Sequence, residues 1–235
     1  MRYAIIAAGE GSRLAQEGVA VPKPLVKVGG ECLIDRLIRI FAANNATSIC
    51  VVCRPDERLE NHLRQWRLQG VDVQYITRTT PSSMHSMYEL SPLLAGDESF
   101  IVTTVDTVFS EKAFGNYVAA LEQGVREDCI DGLMGVTDYV DDERPLYVTT
   151  DDALNILSFR DADEHPHYIS GGIYGLTPSA LTVLRNYVER GESRMRNFQR
   201  ALLSEGLRLK AWPMGMVFDV DHAADVEKAE QFLSA

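Results

Sequence analysis

Through its first hundred residues the chain alternates short, strongly apolar runs with stretches whose apolar residues recur every three or four positions. Residues 3–8, 48–53, 71–76 and 99–105 read as buried strands. Residues 31–44, carrying Leu33, Ile34, Leu37, Ile38 and Phe41, read as an amphipathic helix, as do 55–70 and 83–94. Strands joined through helices run parallel, so this rhythm restricts the chain to a parallel sheet covered by helices. From about Asp128 the rhythm changes. Short strands at 130–136, 146–148, 155–159 and 167–174 follow one another across acidic turns, then helices at 178–190 and 193–205. That pattern predicts an antiparallel excursion inserted in the sheet and facing the substrate. A strand at 208–212, a short one ending at Asp219 and a helix over 223–232 close the sequence. The expected fold class is α/β, a three-layer Rossmann-like mixed sheet in a single domain of residues 1–235.

The composition sets limits on function. Of 235 residues, 46% are hydrophobic and 24% charged, the balance of a globular protein. With 23 basic against 34 acidic residues the net charge is −11, which leaves no basic surface for a phosphate backbone. No nucleic-acid partner is expected, although a local cluster of Arg, Lys and metal can still hold a small anion. The N-terminal apolar run of residues 3–8 is shorter than the about 7–15 residues of a signal peptide. No stretch approaches the roughly 18 apolar residues of a membrane helix, so no membrane partner is expected. Cys32, Cys50, Cys53 and Cys129 lie scattered in apolar contexts, which suits reduced thiols and a cytoplasmic location. Cys50 and Cys53 have C-x-x-C spacing, but on a strand positions three apart face opposite sides, so they read as core rather than as a metal or redox pair.

The first strand runs straight into Ala7-Ala8-Gly9-Glu10-Gly11-Ser12-Arg13-Leu14. Two glycines there let the backbone approach a ligand and aim successive N–H groups at an anion. Arg13 adds a forked donor suited to phosphate. The loop is not a dinucleotide fingerprint, because Leu14 stands where a third glycine would fall, and no Gly-Lys-Ser/Thr marks a Walker loop. Ten residues after Arg13 comes Pro22-Lys23-Pro24-Leu25, whose two prolines exclude Lys23 from a helix and hold its backbone extended.

Together these residues resemble the nucleotidyltransferase superfamily of sugar-nucleotide pyrophosphorylases and phosphocholine cytidylyltransferases. The shared signature is Ala-Ala-Gly-x-Gly-Thr/Ser-Arg-Leu, about ten residues, Pro-Lys-Pro-Leu, then Val-x-Gly-x-Pro-Leu-Ile. It is matched here by Ala7–Leu14, by Pro22-Lys23-Pro24-Leu25 and by the stretch from Val28 to Ile34. Molybdenum-cofactor guanylyltransferases use a shorter gap to the lysine. The resemblance implies a glycosyltransferase A-type fold, with residues 1–125 mainly binding nucleotide, 126–215 mainly binding the acceptor, and 216–235 supplying a second metal aspartate and a closing helix. It also implies catalytic roles for Arg13 and Lys23, and nucleotide contacts from Ala7, Ala8, Gly9, Gly11 and Ser12.

Asp106 ends an apolar strand, where open α/β sheets bind ligands. In the family this position carries a Mg²⁺ ligand, usually spelled Gly-Asp, whereas here it is Val105-Asp106. The second ligand of the family follows a late hydrophobic strand, which places Asp219 on it within Val217-Phe218-Asp219-Val220-Asp221. Asp221 reads as a supporting residue or as the N-cap of the last helix, and His222 as a surface residue. Magnesium is satisfied by a few carboxylates together with substrate phosphate oxygens.

Ser82 and Ser83 fall where the family begins a helix that reads the nucleobase, and a serine N-cap explains them equally well. For the acceptor the resemblance points to Gly171, Gly172 and Tyr174 in a Gly-Ile-Tyr-like strand, and to Arg160 in place of the family's sugar-phosphate lysine. The segment Arg160-Asp161-Ala162-Asp163-Glu164 is acidic, which favours a zwitterionic phosphate such as phosphocholine over a hexose phosphate. The activity implied is Mg²⁺-dependent transfer of NMP from an NTP to a small phosphomonoester, with release of pyrophosphate. Two alternatives stand beside it. A glycosyltransferase of the same sheet type would show Asp-x-Asp, whereas the residues here are Asp106-Thr107-Val108. A non-catalytic assembly domain of this type generally loses the lysine or an aspartate, and this chain keeps Arg13, Lys23, Asp106 and Asp219. No fused acyltransferase is expected. Trp66 and Tyr139 are positions at which a second copy would dock, and nothing in the sequence decides whether one does.

Overall fold

The computed structural model describes residues 1–140, 144–163 and 167–234, so Glu164 of the acidic acceptor segment and Ala235 lie outside the described residues. The chain opens with β1 (Arg2–Ala7), the short helix α1 (Ser12–Gln16), a single 3-10 turn (Lys23–Leu25) and the small hairpin β2 (Lys27–Val28) with β3 (Glu31–Cys32). Then come α2 (Leu33–Ala43), β4 (Ser48–Cys53), α3 (Glu57–Leu68), β5 (Val73–Thr77), α4 (Ser83–Leu94) and β6 (Phe100–Thr104). After a tight corner follow β7 (Thr107–Phe109) and α5 (Glu111–Arg126). The second half holds β8 (Gly132–Thr137), β9 (Tyr147–Thr150), β10 (Ile156–Arg160), β11 (Tyr168–Leu176), α6 (Ser179–Glu189), α7 (Met195–Ser204), β12 (Leu209–Pro213), β13 (Val217–Asp219) and α8 (Ala223–Ser234).

The expected sheet is present. Strands β6, β1, β4 and β5 lie side by side and parallel, with β1 central because all but one of its residues are buried. The antiparallel part is a continuation of that sheet rather than a separate insert. β11 pairs with β6 on one side and with β8 and β9 on the other, and β12 runs parallel to β8. Alternate residues of each strand face opposite layers. Tyr3, Ile5 and Ala7 pack with α2, α3, α5 and α8, whereas Ala4, Ile6 and Ala8 pack with α4, α6 and α7. Cys53 and Cys50 divide between the same two layers, so the C-x-x-C spacing is core packing as expected, while Cys129 is exposed rather than apolar in its surroundings.

The first layer is built on an aromatic stack in which Phe114 of α5 lies 5.4 Å from Phe41 and 4.9 Å from Phe109. None of the elements expected from the sequence lies between β6 and β8; α5 occupies that stretch with Phe114, Tyr117, Val118 and Leu121 on one buried face. Arg36, 6% exposed, ties α2 to the start of α5 by donating to the Phe109 carbonyl at 2.7 Å and to Glu111 at 3.1 Å. That clamp holds the end of β7 against α2, three residues beyond the corner where Asp106 sits. Among the described residues no helix is long and apolar enough to cross a membrane.

Candidate active site

Parallel strands all end at one edge of a sheet, and the loops leaving that edge form the cleft. Here the loop after β1, the start of α4 and the corner after β6 enclose a cavity of about 900 Å³, within the range of small-ligand sites. Its wall includes Ala7, Ala8, Gly9, Gly11, Ser12, Arg13, Lys23, Ser82, Ser83 and Asp106. Gly11 takes a left-handed conformation at φ +58°, and a side chain there would press on the Lys23 Cβ at 3.1 Å. The glycine therefore lets the loop and the lysine segment lie against each other.

Lys23 departs from the sequence expectation in one respect. It begins the single 3-10 turn, because an extended Pro22 (ψ 143°) precedes it and Pro24 fits the second position of such a turn. Its side chain, 9% exposed, points between two carboxylates. The Lys23 ammonium donates to Asp106 and, at 2.5 Å, to Asp221. Arg13 Nη1 donates to the other oxygen of Asp221 at 2.6 Å. Burial by itself would make the lysine easier to deprotonate, but the charges of Asp106 and Asp221 outweigh it and hold the ammonium above its ordinary pKa. Burial likewise works against ionised Asp221, and Lys23 and then Arg13 overcome it, so this carboxyl titrates below its ordinary value.

A second, two-stranded sheet gathers these residues from opposite ends of the chain. β13 pairs antiparallel with β7, setting Asp219 opposite Thr107, and the Val220 N–H donates to the Asp106 carbonyl at 3.1 Å. Asp219 accepts from Thr107 Oγ1 at 3.2 Å and lines a smaller cavity of about 120 Å³ together with Tyr139, Gly171 and His222. Arg13 and Asp221 line both cavities, so the two spaces meet at this pair. Asp221 does not cap α8; instead Asp225, the third residue of that helix, reaches back so that its carboxylate accepts the backbone N–H groups of Asp221 and His222 at 3.1 and 2.8 Å. With its backbone held that way, the Asp221 side chain turns into the cleft. His222, expected at the surface, is half-buried at the rim of the smaller cavity and bonds Glu17 at 2.6 Å.

Ser82 caps α4, accepting from the His85 N–H at 3.4 Å, and also lines the large cavity. Arg194, which the sequence did not single out, donates its N–H to Ser82 Oγ at 3.4 Å from a backbone at φ +82° that side-chain-bearing residues rarely adopt. Gly171 and Gly172 form a bulge in β11, where the register with β8 shifts between Ser170 and Ile173. Two of the acceptor residues line neither cavity. Tyr174 is buried between sheet and helices and lines neither cavity, its hydroxyl made harder to ionise by that burial. Arg160 sits on the edge strand β10, exposed and bonded to Ser158 at 3.1 Å, because β9 and β11 separate it from the cleft. Trp66 and Tyr139 have partners within the chain, Trp66 donating to Asp35 at 2.6 Å and Tyr139 packing on Phe218 at 5.1 Å.

The donors near Lys23 are carboxylate oxygens alone, two of them already gathered on one cation, which suits a hard divalent ion such as Mg²⁺.

Known proteins agree with this architecture. The chain is 25% identical over 240 residues to the bifunctional IPC transferase and DIPP synthase of Archaeoglobus fulgidus. The match takes in 99% of this chain but 44% of that protein, so the chain spans less than half the length of this relative. The inositol-1-phosphate CTP transferase of T. maritima superposes with a TM-score of 0.81 at 18% identity, covering 99% of this chain and 94% of the other. A Bacillus anthracis protein provisionally named a glucose-1-phosphate thymidylyltransferase, solved with sucrose, superposes at 0.85, also at 18% identity and with the same coverage. At that identity the two structures speak for the fold. Residues 3–221 match the sequence profile described as Nucleotidyl transferase, and the chain belongs to that family.

Proposed function

We propose that this protein transfers a nucleoside monophosphate from an NTP to a small phosphomonoester, releasing pyrophosphate, in a Mg²⁺-dependent reaction. The observation that carries this reading is the meeting of two cavities at Arg13 and Asp221, with Lys23 and Asp106 at the same point. The larger space suits the nucleotide and the smaller the acceptor. In the reaction an acceptor phosphate oxygen forms a bond to the α-phosphorus while the bond to the α–β bridging oxygen breaks, and pyrophosphate leaves with that electron pair. A phosphate monoester is nucleophilic enough near neutral pH that no side-chain base is required. Alignment and charge neutralisation supply the rest.

In this reading the backbone from Gly9 to Ser12 donates to the β- and γ-phosphates, and Arg13 holds the departing pyrophosphate. Lys23 stays protonated and exchanges its carboxylate partners for the α-phosphate as negative charge builds there. Asp106 and Asp221 would hold Mg²⁺, with Asp219 beside them at the acceptor; the ion would neutralise phosphate charge and align the two substrates. Residues 1–125 form the nucleotide half, and the start of α4 faces the base. A cytoplasmic setting accords with this reading, since it supplies NTP and keeps the four free cysteines reduced. The acceptor cavity carries Asp219 and Asp225 against Arg13 and His222, which fits the phosphate of a polar or zwitterionic alcohol, including inositol- or choline-type compounds. The T. maritima protein, named an inositol-1-phosphate CTP transferase, supports trying CTP first.

The test is a thermal shift with CTP, UTP, dTTP, GTP and ATP, each with and without Mg²⁺, followed by pyrophosphate release with candidate acceptors. A nucleotide at a hundredfold over Kd adds about 2.7 kcal/mol, or roughly 5–10 °C for a chain of this size. One base is expected to stand out. No shift with any of the five would overturn the reading in favour of a non-catalytic domain.

A further inference from the structure

On the layer formed by α2 and α3, a groove shares no lining residue with the cleft described above. Three side chains of different chemistry converge in it. Cys32 comes from β3, Asp35 from the first turn of α2 and His62 from α3, and one donor atom of each lies within 4.8 Å of the other two. His62 Nε2 is 2.6 Å from Asp35 Oδ2. The Trp66 indole N–H donates to Asp35 Oδ1 at 2.6 Å, which fixes the carboxylate and leaves Oδ2 turned toward the histidine and the thiol. Outer partners of this kind are what orient metal ligands. Cys32 is only 9% exposed, whereas the His62 side chain is 36% exposed, so the cluster is buried on the sulfur side and open on the nitrogen side.

We propose that Cys32, Asp35 and His62 bind one zinc-class divalent cation, with solvent in the fourth position. Thiolate, imidazole and carboxylate are the ligands such ions take in four-coordinate sites, whereas Mg²⁺ avoids sulfur. Tetrahedral bonds of about 2.0–2.3 Å place ligands roughly 3.5 Å apart. The histidine–carboxylate pair must therefore open by about 1 Å and the most distant pair close by a similar amount, and the half-exposed His62 has room to do so. The ion would join α3 to the β2–β3 hairpin and the start of α2. That hairpin continues directly from the Lys23 turn, and the Leu33 N–H donates to the Val26 carbonyl at 2.9 Å, so the clip lies at the base of the lysine segment. The proposal is independent of the nucleotidyl-transfer reading.

The test is a Co²⁺ titration of the metal-stripped full chain in a Cys129→Ser background, which removes the exposed thiol. One equivalent is expected to produce thiolate-to-cobalt charge-transfer absorption and the intense visible bands of a four-coordinate ion. Cobalt on the catalytic carboxylates gives no thiolate band, so the two sites are told apart. Adding Cys32→Ser should abolish the charge-transfer band. His62→Gln, at a half-exposed position that folding tolerates, should weaken cobalt binding by at least about 100-fold, the upper end of what loss of an outer partner costs. Zinc should raise the melting temperature of the unsubstituted chain by about 5 °C or more. A titration without thiolate absorption, or one unaltered by His62→Gln, would overturn the site and leave a hydrogen-bonded cluster.

Discussion

Lys23 is the residue on which the cleft turns, because its ammonium separates two carboxylates that would otherwise face each other. Lys23→Ala is expected to lower kcat about 10²–10³-fold, the usual effect of removing one preorganised donor, as steady-state kinetics would show. A variant retaining more than half of the activity would remove Lys23 from the mechanism. The aspartates offer a sharper comparison. The family pattern points to Asp219 as the partner of Asp106, while the geometry gathers Asp106 and Asp221 on one cation. Asp221→Asn is therefore expected to reduce Mg²⁺-activated turnover by at least about 100-fold, and Asp219→Asn to act mainly on the acceptor KM. Equal losses of kcat in both variants would count against this division. The prominence of Asp221 is not legible from spacing, since Asp219 and Asp221 flank the same apolar residue, Val220, in one run. What decides between them is which way each side chain turns after Asp225 binds the backbone.

Among the elements, β11 does the most to shape the site, since it joins the parallel and antiparallel parts of the sheet. Its bulge depends on Gly172 at φ +71°, where a Cβ would stand 2.9 Å from Thr107 Oγ1 and 3.1 Å from Thr104 Oγ1. Gly172→Ala combines a left-handed backbone with that crowding and is expected to destabilise the protein by about 1–3 kcal/mol in urea unfolding. A neutral effect would mean that the bulge relaxes at little cost. Elements of one strong period were readable from the sequence, as β4 and α4 demonstrate, whose bounds match the expected ones. The helix α5 was passed over although Ser110 caps it and Phe114, Tyr117, Val118 and Leu121 recur at helical spacing. Gly115 and Gly124 lie inside it and weaken the local helix signal.

For the whole molecule, acid stability follows from carboxylates held in ion pairs. Asp221 beside Lys23, Glu111 bonded by Arg39 and Asp131 bonded by Arg208 all titrate below their ordinary values of 3.8 for Asp and 4.5 for Glu. Each is charged in the folded state at a pH where the unfolded chain takes up a proton. The stability they add is present above the ordinary values and is lost as pH falls through the lower folded ones. Partly exposed pairs contribute at most about 1 kcal/mol each, so the loss is gradual. The urea midpoint is expected to decline progressively from about pH 5 to about pH 3. A midpoint unchanged over that interval would show that these pairs contribute nothing to folding.

By itself the sequence determined the α/β class, the order of most elements, the burial of Cys50 and Cys53, and the glycine loop with its arginine and lysine. These are local properties: period, β-branching, turn chemistry and the spacing of a loop along one strand. The tertiary structure alone decided that the β7–β13 ladder brings residue 221 against residue 106, that Arg160 lies on an edge strand, and that Cys32, Asp35 and His62 share one groove. The reason is physical. Side chains from separate elements meet only where strand register and helix packing set them, and a pattern along the chain carries no distance between elements far apart in it.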